Sequence, residues 1–598
     1  MPTRLPVACA ASFLVAATAE AAWFTEATER LGAPQPCAGK GCYSNYVLMA
    51  DLDGDGDLDI AFANGGGYYV AGKAEPLALY QNTGKGQFVL RTQDALGGFQ
   101  GRLRQVAVGD VDGDGDLDLV APDSWGMQPD ALFINQGDFK FANQGPARLG
   151  TSSRAAGARF GDLDGDGDLD LVLTDWGKKP FTSMGTARVY LNDGTGHFAE
   201  LPAAVPQNTQ SIGTGPIDLD LLDADGDFDL DLLLASRQGE SLLFRNAGDG
   251  TFVDANADLP DQPGPYVYGP DPCDVDGDGD LDLWLDNGGP KLAEQLLING
   301  GKGVFVDESQ QRVVGNPNAD DNEVQCVDLD GDGDLDAIVA SLSDEERGLF
   351  NDGKGYFSFV KGLFPAKGDP TLGLDLGDVD GDGRLDAVTA QGESGDFTNR
   401  LYLGGDDQAV DTMPPVFRAI APLPAEATSS VEVRFAVRDR TTTDLGPRLH
   451  KAWAQVKGTN AQVAKATFAG GDLFRAVLSL PGPGTWGVEV CAIDQAGNAA
   501  CAQAGTVAVP GAQPSLDASV GPVADAGGAD DALGQADPGA AAGVQTAAAR
   551  KADSGCSARG GSSARTLAAV CLLACAAVGW RRSRCDRGGR AGARPRAE

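Results

Sequence analysis

One nine-residue acidic segment, repeated along the chain, limits the fold more than any other feature. It first reads Asp51-Leu52-Asp53-Gly54-Asp55-Gly56-Asp57-Leu58-Asp59. It recurs with Asp110, Asp112, Asp114, Asp116 and Asp118, and with Asp162, Asp164, Asp166, Asp168 and Asp170. Two further copies carry Asp274, Asp276, Asp278, Asp280 and Asp282, then Asp328, Asp330, Asp332, Asp334 and Asp336. Another has Asp378, Asp380, Asp382 and Asp386, with Arg384 in the seventh position. A divergent copy, aligned by setting Gly226 at the sixth position, runs from Leu221 and keeps Asp223, Asp225, Asp227 and Asp229. In that alignment the copies start at 51, 110, 162, 221, 274, 328 and 378. A period near 50 residues marks an array or a propeller.

The chemistry of the segment is that of calcium. Carboxylates at alternate positions of a tight loop converge on one point, and Ca²⁺ takes six to eight hard oxygen ligands. Positions 1, 3, 5 and 9 are expected to bind through side chains and position 7 through its carbonyl, which accommodates Arg384. Glycine at position 6 permits the positive φ of a sharp turn. Up to seven Ca²⁺ ions are expected, with the fourth site doubtful because Leu221 replaces its first carboxylate. An EF-hand is excluded: it needs a bidentate Glu at position 12, where this chain has Phe62, Ala121, Leu173, Leu232, Leu285, Val339 and Thr389. Flanks such as Leu171-Val172-Leu173 are strand-like rather than helical.

A second motif follows the first six times. Asn-x-Gly-x-Gly-x-Phe occupies residues 82–88, 135–141, 192–198, 246–252, 299–305 and 351–357, with Phe139 in place of the second glycine of its copy. Asn and Gly favour tight hairpin turns. Each repeat thus reads as four antiparallel strands, one propeller blade. These residues resemble the FG-GAP/VCBS repeats of integrin-α-like propellers. The resemblance implies an all-β fold, a seven-bladed β-propeller over residues 23–410, with Ca²⁺ in the loops. After the seventh acidic loop no Phe strand follows. Trp23-Phe24-Thr25-Glu26 resembles Thr251-Phe252-Val253-Asp254 and Val304-Phe305-Val306-Asp307, so residues 23–32 are expected to supply the outer strand of the last blade. Residues 413–509 lose the repeat and resemble a small Ig-like or fibronectin-like β-sandwich, a spacer between propeller and surface. Val431, Val433, Phe435 and Val437 alternate as in a half-buried strand.

The two ends read as processing signals. Residues 1–22 have Arg4, a short apolar stretch and Ala19-Glu20-Ala21, a signal-peptide pattern. Residues 510–555 form a linker rich in Ala, Gly, Asp and Pro. Within 556–598, Cys556, the apolar run 566–580 and the arginines beginning at Arg581 resemble a MYXO-CTERM-type C-terminal sorting tail. An exported, surface-held protein is the expectation, with a plain membrane anchor as the alternative. Export suits disulfides. Cys37 with Cys42 and Cys491 with Cys501 can each close a small loop, and Cys273 and Cys326 precede successive acidic loops.

A formal charge of −40 disfavours nucleic acid and anionic lipid, so membrane contact is expected only through the tail. With His197 and His450 the only histidines, His-based catalysis has little to draw on. Strand order puts the acidic loops and hairpins on one face and the variable loops on the other. That second face carries Tyr68, Tyr69, Trp125, Trp176 and Phe181. The expected role is an adhesion or protein-interaction scaffold, not an enzyme, with an unknown extracellular protein or glycan as partner. A lectin-like carbohydrate binder is the alternative, and a polysaccharide-active enzyme a more distant one.

Overall fold

The computed structural model describes residues 23–511 except 33–35, 38–40, 66, 68–69, 151, 177–184, 207–214, 238, 265, 343–344, 366–369, 393–396, 441–448 and 459–461. The leader and the sorting tail expected from the sequence lie outside these residues, as does the linker from 512 on.

Residues 24–404 form seven four-stranded antiparallel sheets in succession; the sixth gains Val313–Val314 as a parallel edge strand, and Glu75–Pro76 pairs with Gln100–Gly101 in a small sheet of their own. The first sheet shows the pattern. Its strands are Ser44–Ala50, Asp59–Asn64, Ala78–Asn82 and Phe88–Leu90. The acidic loop joins the first strand to the second, and the Asn-Gly hairpin joins the third to the fourth. Every residue of Asp59–Asn64 is buried, because neighbouring sheets cover both its faces. That burial explains the unbroken apolar run after each acidic loop.

Hydrophobic clusters fill the seams between consecutive sheets. Leu48 and Phe62 lie in different seams of the first sheet: Leu48 packs toward Leu119 and Phe133 of the second, Phe62 toward Val388 and Leu401 of the seventh. The first sheet therefore packs on the last. The hairpin phenylalanines Phe88, Phe141, Phe198, Phe252, Phe305 and Phe357 are all buried in these seams. This is the arrangement of a β-propeller.

The seventh sheet orders Phe24–Glu26, Arg400–Gly404, Asp386–Gln391 and Thr371–Gly377. Phe24 pairs with Gly404, Thr25 with Leu403 and Glu26 with Tyr402, as the sequence of residues 23–26 leads one to expect. Pairing the two ends removes a free sheet edge. Disulfides join Cys37 to Cys42, Cys273 to Cys326 and Cys491 to Cys501.

Residues 416–509 form two further four-stranded sheets. One orders Val416–Ile420, Ser430–Arg438, Leu473–Ser479 and Thr467–Gly470; the other orders Val463–Lys465, Leu449–Val456, Gly484–Asp494 and Ala499–Val509. Val433, Phe435, Ala454, Val488 and Val490 meet in the core between them. No helix among the described residues is long and apolar enough to cross a membrane.

Candidate metal centre

The first acidic loop is wound around its own carboxylates. Asp51 Oδ1 accepts the N–H groups of Gly54 and Asp55 at 2.8 and 3.1 Å, and Oδ2 accepts that of Gly56 at 2.9 Å. Asp59 closes the loop: its Oδ2 accepts Leu52 N–H at 2.8 Å and its Oδ1 accepts Asn82 N–H at 2.7 Å. The first carboxylate thus shapes the turn, and the ninth ties the loop to the hairpin strand. The ninth-position pattern recurs at Asp118, Asp170, Asp282, Asp336 and Asp386.

The fourth loop shows that pattern in a different register from the one expected. Asp231, not Asp229, accepts the N–H groups of Ala224 and Asn246 at 3.3 and 2.9 Å. Asp223 Oδ1 accepts Gly226 and Asp227 N–H, as Asp51 does for Gly54 and Asp55. Leu221 and Leu222 belong to the strand Pro216–Leu222. The first position is therefore Asp223, and the loop has all five carboxylates, including Asp231. What it has lost is the sixth-position glycine, replaced by Phe228 at φ 66°. Gly226 stands at the fourth position. One sequence signal pointed this way. Under the Gly226 alignment Asp231 falls two residues past the loop, where the other repeats have Ala61, Val120, Val172, Trp284, Ile338 and Val388.

The donor set fits a hard cation. Oxygens of Asp51, Asp53 and Asp59 lie within 4.8 Å of one another, as do those of Asp110, Asp112 and Asp118, of Asp162, Asp164 and Asp170, and of Asp274, Asp276 and Asp282. In the fourth loop Asp223, Asp225 and Asp227 converge in this way. The fifth-position residues, Asp55 among them, are exposed at the lip of each loop. Oδ1 of Asp53, Asp112, Asp225, Asp276 and Asp380 is buried without a hydrogen-bond partner, as are Oδ1 of Asp162 and Oδ2 of Asp223. A buried unsatisfied polar group costs about 1–3 kcal/mol, and a charged one more. A divalent cation removes that cost. Arg384 pairs with the fifth-position Asp382 of its own loop at 2.8 Å and with Asp406 at 3.5 Å, so it adds no ligand and engages one of the expected ones.

Burial also drives the ninth-position carboxyls upward. Asp59, Asp282, Asp336 and Asp386 are pushed to about 8, against the two backbone N–H groups that each accepts. Asp118 and Asp170 rise to about 7, and Asp231 to about 6, where Arg245 adds an opposing charge.

The hairpin asparagines prove to be more than turn formers. Asn135 Nδ2 donates to Leu117 O of its own loop at 3.1 Å and to Leu52 O of the preceding loop at 2.9 Å. Asn82, Asn192, Asn246, Asn299 and Asn351 do the same in their seams. The seventh sheet has no such hairpin. There Gln408 Nε2 donates to Leu385 O and to Trp23 O, both at 3.0 Å.

Four segments, residues 51–121, 124–173, 223–285 and 328–389, match the FG-GAP-like repeat family. The chain carries FG-GAP-like repeats. The third match begins at Asp223, in agreement with the register of the fourth loop. Cartilage acidic protein 1 of Xenopus tropicalis is 25% identical over 410 residues, which cover 62% of this chain and 61% of that protein. The chain thus spans less than two thirds of that relative. Among solved structures, Saccharomyces cerevisiae Sqt1 aligns with a TM-score of 0.36 and 12% identity, over 62% of this chain and 98% of that one.

The two-sheet unit sits on the loop face of the repeats. Arg475 reaches Asp162 at 3.3 Å and Arg434 reaches Asp229 at 3.1 Å. Arg418 Nη1 donates to Gly279 O at 2.8 Å and Arg438 Nη2 to Gly333 O at 3.3 Å. Arg440 Nε donates to Asp328 O and Nη1 to Gly383 O, both at 3.2 Å. Phe228 packs in the cluster that also holds Leu473, Ala436 and Ala469 of this unit. Loops three to seven each contact this unit, while their fifth-position residues stay exposed. The unit is therefore fastened to the acidic face at many points.

On the other face, Trp176 is fully buried and donates to Ser124 O at 2.6 Å. It packs against the half-buried Trp125 at a centroid distance of 6.0 Å. Tyr68, Tyr69 and Phe181 lie outside the described residues.

Proposed function

We propose that this chain is an exported, surface-held scaffold: a seven-bladed propeller, set by up to seven Ca²⁺ ions, that binds an extracellular partner through its variable-loop face. The observation that carries the cation reading is the set of buried third-position oxygens without partners. The fourth loop joins the others as a full carboxylate site in this reading. Asp51, Asp53 and Asp59, and their counterparts in each repeat, would hold the ion, which would supply the charge these oxygens lack. Its role is structural: it fixes loops between strands and leaves no reacting atom to attack.

The partly covered acidic face supports the choice of binding surface. Residues 416–509 rest on loops three to seven and restrict a partner's access to them. We read those residues as an Ig-like sandwich that links the propeller to the tail. The carbohydrate reading loses support because Trp176 is buried and its indole N–H is engaged. A scaffold rather than an enzyme is the better reading, as the clustered carboxylates are spent on the loops.

The test has two arms. Calcium should raise the melting temperature of the protein after full chelation, because a ligand bound only by the folded state stabilises it. A pull-down from extracellular material should then capture a partner in Ca²⁺ and lose it in chelator. An unchanged melting temperature would sink the cation reading.

A further inference from the structure

The third-position carboxylates have a second feature in common. Their other oxygen, Oδ2, is held from outside the loop. Arg30 Nη1 donates to Asp380 Oδ2 at 3.1 Å and Arg148 Nη1 to Asp112 Oδ2 at 3.2 Å. Arg312 Nη2 lies 3.3 Å from Asp276 Oδ2; Arg245 donates to the ninth-position Asp231 at 2.7 Å and its Nε lies 3.7 Å from Asp225 Oδ2. In the first loop the Gln81 amide donates to Asp53 Oδ2 at 2.5 Å, and Arg91 donates to Gln81. These are the same five carboxylates whose Oδ1 is buried and unpartnered. Among the described residues, Asp164 and Asp330 lack such a holder, and their Oδ1 atoms accept loop N–H groups from Asp166 and Asp332 at 3.2 and 3.3 Å.

The same guanidinium groups reach forward to the next sheet. Arg30 donates to Lys85 O at 3.1 Å, Arg148 to Thr195 O at 2.5 Å, Arg245 to Gly303 O at 2.6 Å and Arg312 to Lys354 O at 2.7 Å. These arginines pass beside the second glycine of the hairpin motif, whose positive φ already favours glycine. A Cβ at Gly196 or Gly355 would stand 2.4 Å from the arginine passing it, and one at Gly303 only 1.8 Å away. The one hairpin without that glycine fits as well. Arg91 cannot pass Phe139, so it lies over the ring at 5.6 Å and acts on Asp53 through Gln81.

We propose that Arg30, Arg148, Arg245, Arg312 and the Arg91–Gln81 pair are positioning residues, which turn one oxygen of each third-position carboxylate toward the cation and fasten that loop to the hairpin of the next sheet. Cation binding in one loop and closure of the following seam then form a single event. The seven loops fall into two classes. The first, second, fourth, fifth and seventh are clamped; the third and sixth are not. The inference rests on the calcium reading and adds to it which sites are tight and what each one secures.

The sign of a substitution discriminates. An arginine that merely stands near a cation repels it, so its removal should tighten binding. An arginine that orients a ligand should weaken binding when removed, and outer residues of this kind are typically worth about 10–100-fold in metal affinity. The experiment is a calcium titration of the exported chain by calorimetry, with hydrogen exchange of residues 192–198 in Ca²⁺ and in chelator. Arg148→Met should weaken one site about tenfold, leave the others unchanged, and abolish the calcium-dependent protection of that hairpin. Arg148→Lys should restore part of both. Arg91→Met tests the indirect clamp at another seam. Arg188→Gln, which removes the pair with Glu200 and the contact over the Tyr190 ring, should titrate like the wild type. A cooperative melting transition in chelator shows that Arg148→Met folds, even where the lost bonds to Thr195 O and Gln144 lower its midpoint. If Arg148→Met and Arg91→Met both bind calcium as well as or better than the wild type, the clamp is overturned. If the wild type binds none, the calcium reading falls and the clamp with it.

Discussion

Asn135 reaches across a seam to Leu52: its side-chain amide donates to that carbonyl at 2.9 Å while also holding Leu117 O. The bond joins two sheets through a residue that is 3% exposed. Asn135→Ala leaves two carbonyls short of a donor, and should cost about 1–3 kcal/mol. Asn135→Asp should cost at least as much, since it adds a charge beside the same carbonyls. Urea denaturation measures both; variants as stable as the wild type would show that the staple contributes nothing.

Phe228 occupies a backbone conformation that favours glycine, and its ring packs with Leu473 and Ala469. Phe228→Gly relieves about 1 kcal/mol of backbone strain and gives up a contact of similar size. Global stability should therefore change little, while hydrogen exchange at residues 469–473 rises. Arg440→Ala should do more damage, because Arg440 is buried and bridges the sixth and seventh loops. Unchanged exchange at 469–473 in Phe228→Gly would contradict the seating role.

The ninth-position carboxyls set a pH dependence. Their folded values of about 6 to 8 exceed the value near 3.9 of an unfolded aspartate. The folded, metal-free state therefore binds protons more tightly. Its extra stability is complete below about pH 4 and is lost as pH rises toward 8. Calcium competes with those protons, so its binding should release them and tighten between about pH 6 and 8. Melting temperatures across that range, in chelator and in Ca²⁺, should diverge as pH rises. Parallel curves would be the contrary result.

Cys273 and Cys326 lie 53 residues apart in sequence and join the fifth sheet to the sixth. Replacing both by serine should cost about 2–5 kcal/mol, and mass spectrometry of the oxidised protein should find neither thiol free.

The period, the convergence of the loop carboxylates and the ring closure at Phe24 were legible because each is written in contiguous residues. The register of the fourth loop was not, since Gly226 invited alignment with the wrong glycine while the diagnostic contact, Asp231 to Asn246, joins separate strands. The seating of residues 416–509 and the arginine clamp left no local trace. Arg30 and Asp380 are 350 residues apart, and single arginines scattered along a chain carry no pattern of their own. The contact of Arg91 with the Phe139 ring gives a place to one oddity that sequence could only record.

The two ends of the ring pair over only three residues, from Phe24–Gly404 to Glu26–Tyr402, beside the packed seam between the first and last sheets. A pull arriving through residues 416–509 does not reach the ladder first. It meets Arg440 on the loops, then Asp411 N–H on Gly383 O, then Gln408 on Trp23. If the chain is held through its C-terminal side, the docked unit would act as a strain relief, shedding its docking contacts before the closure opens.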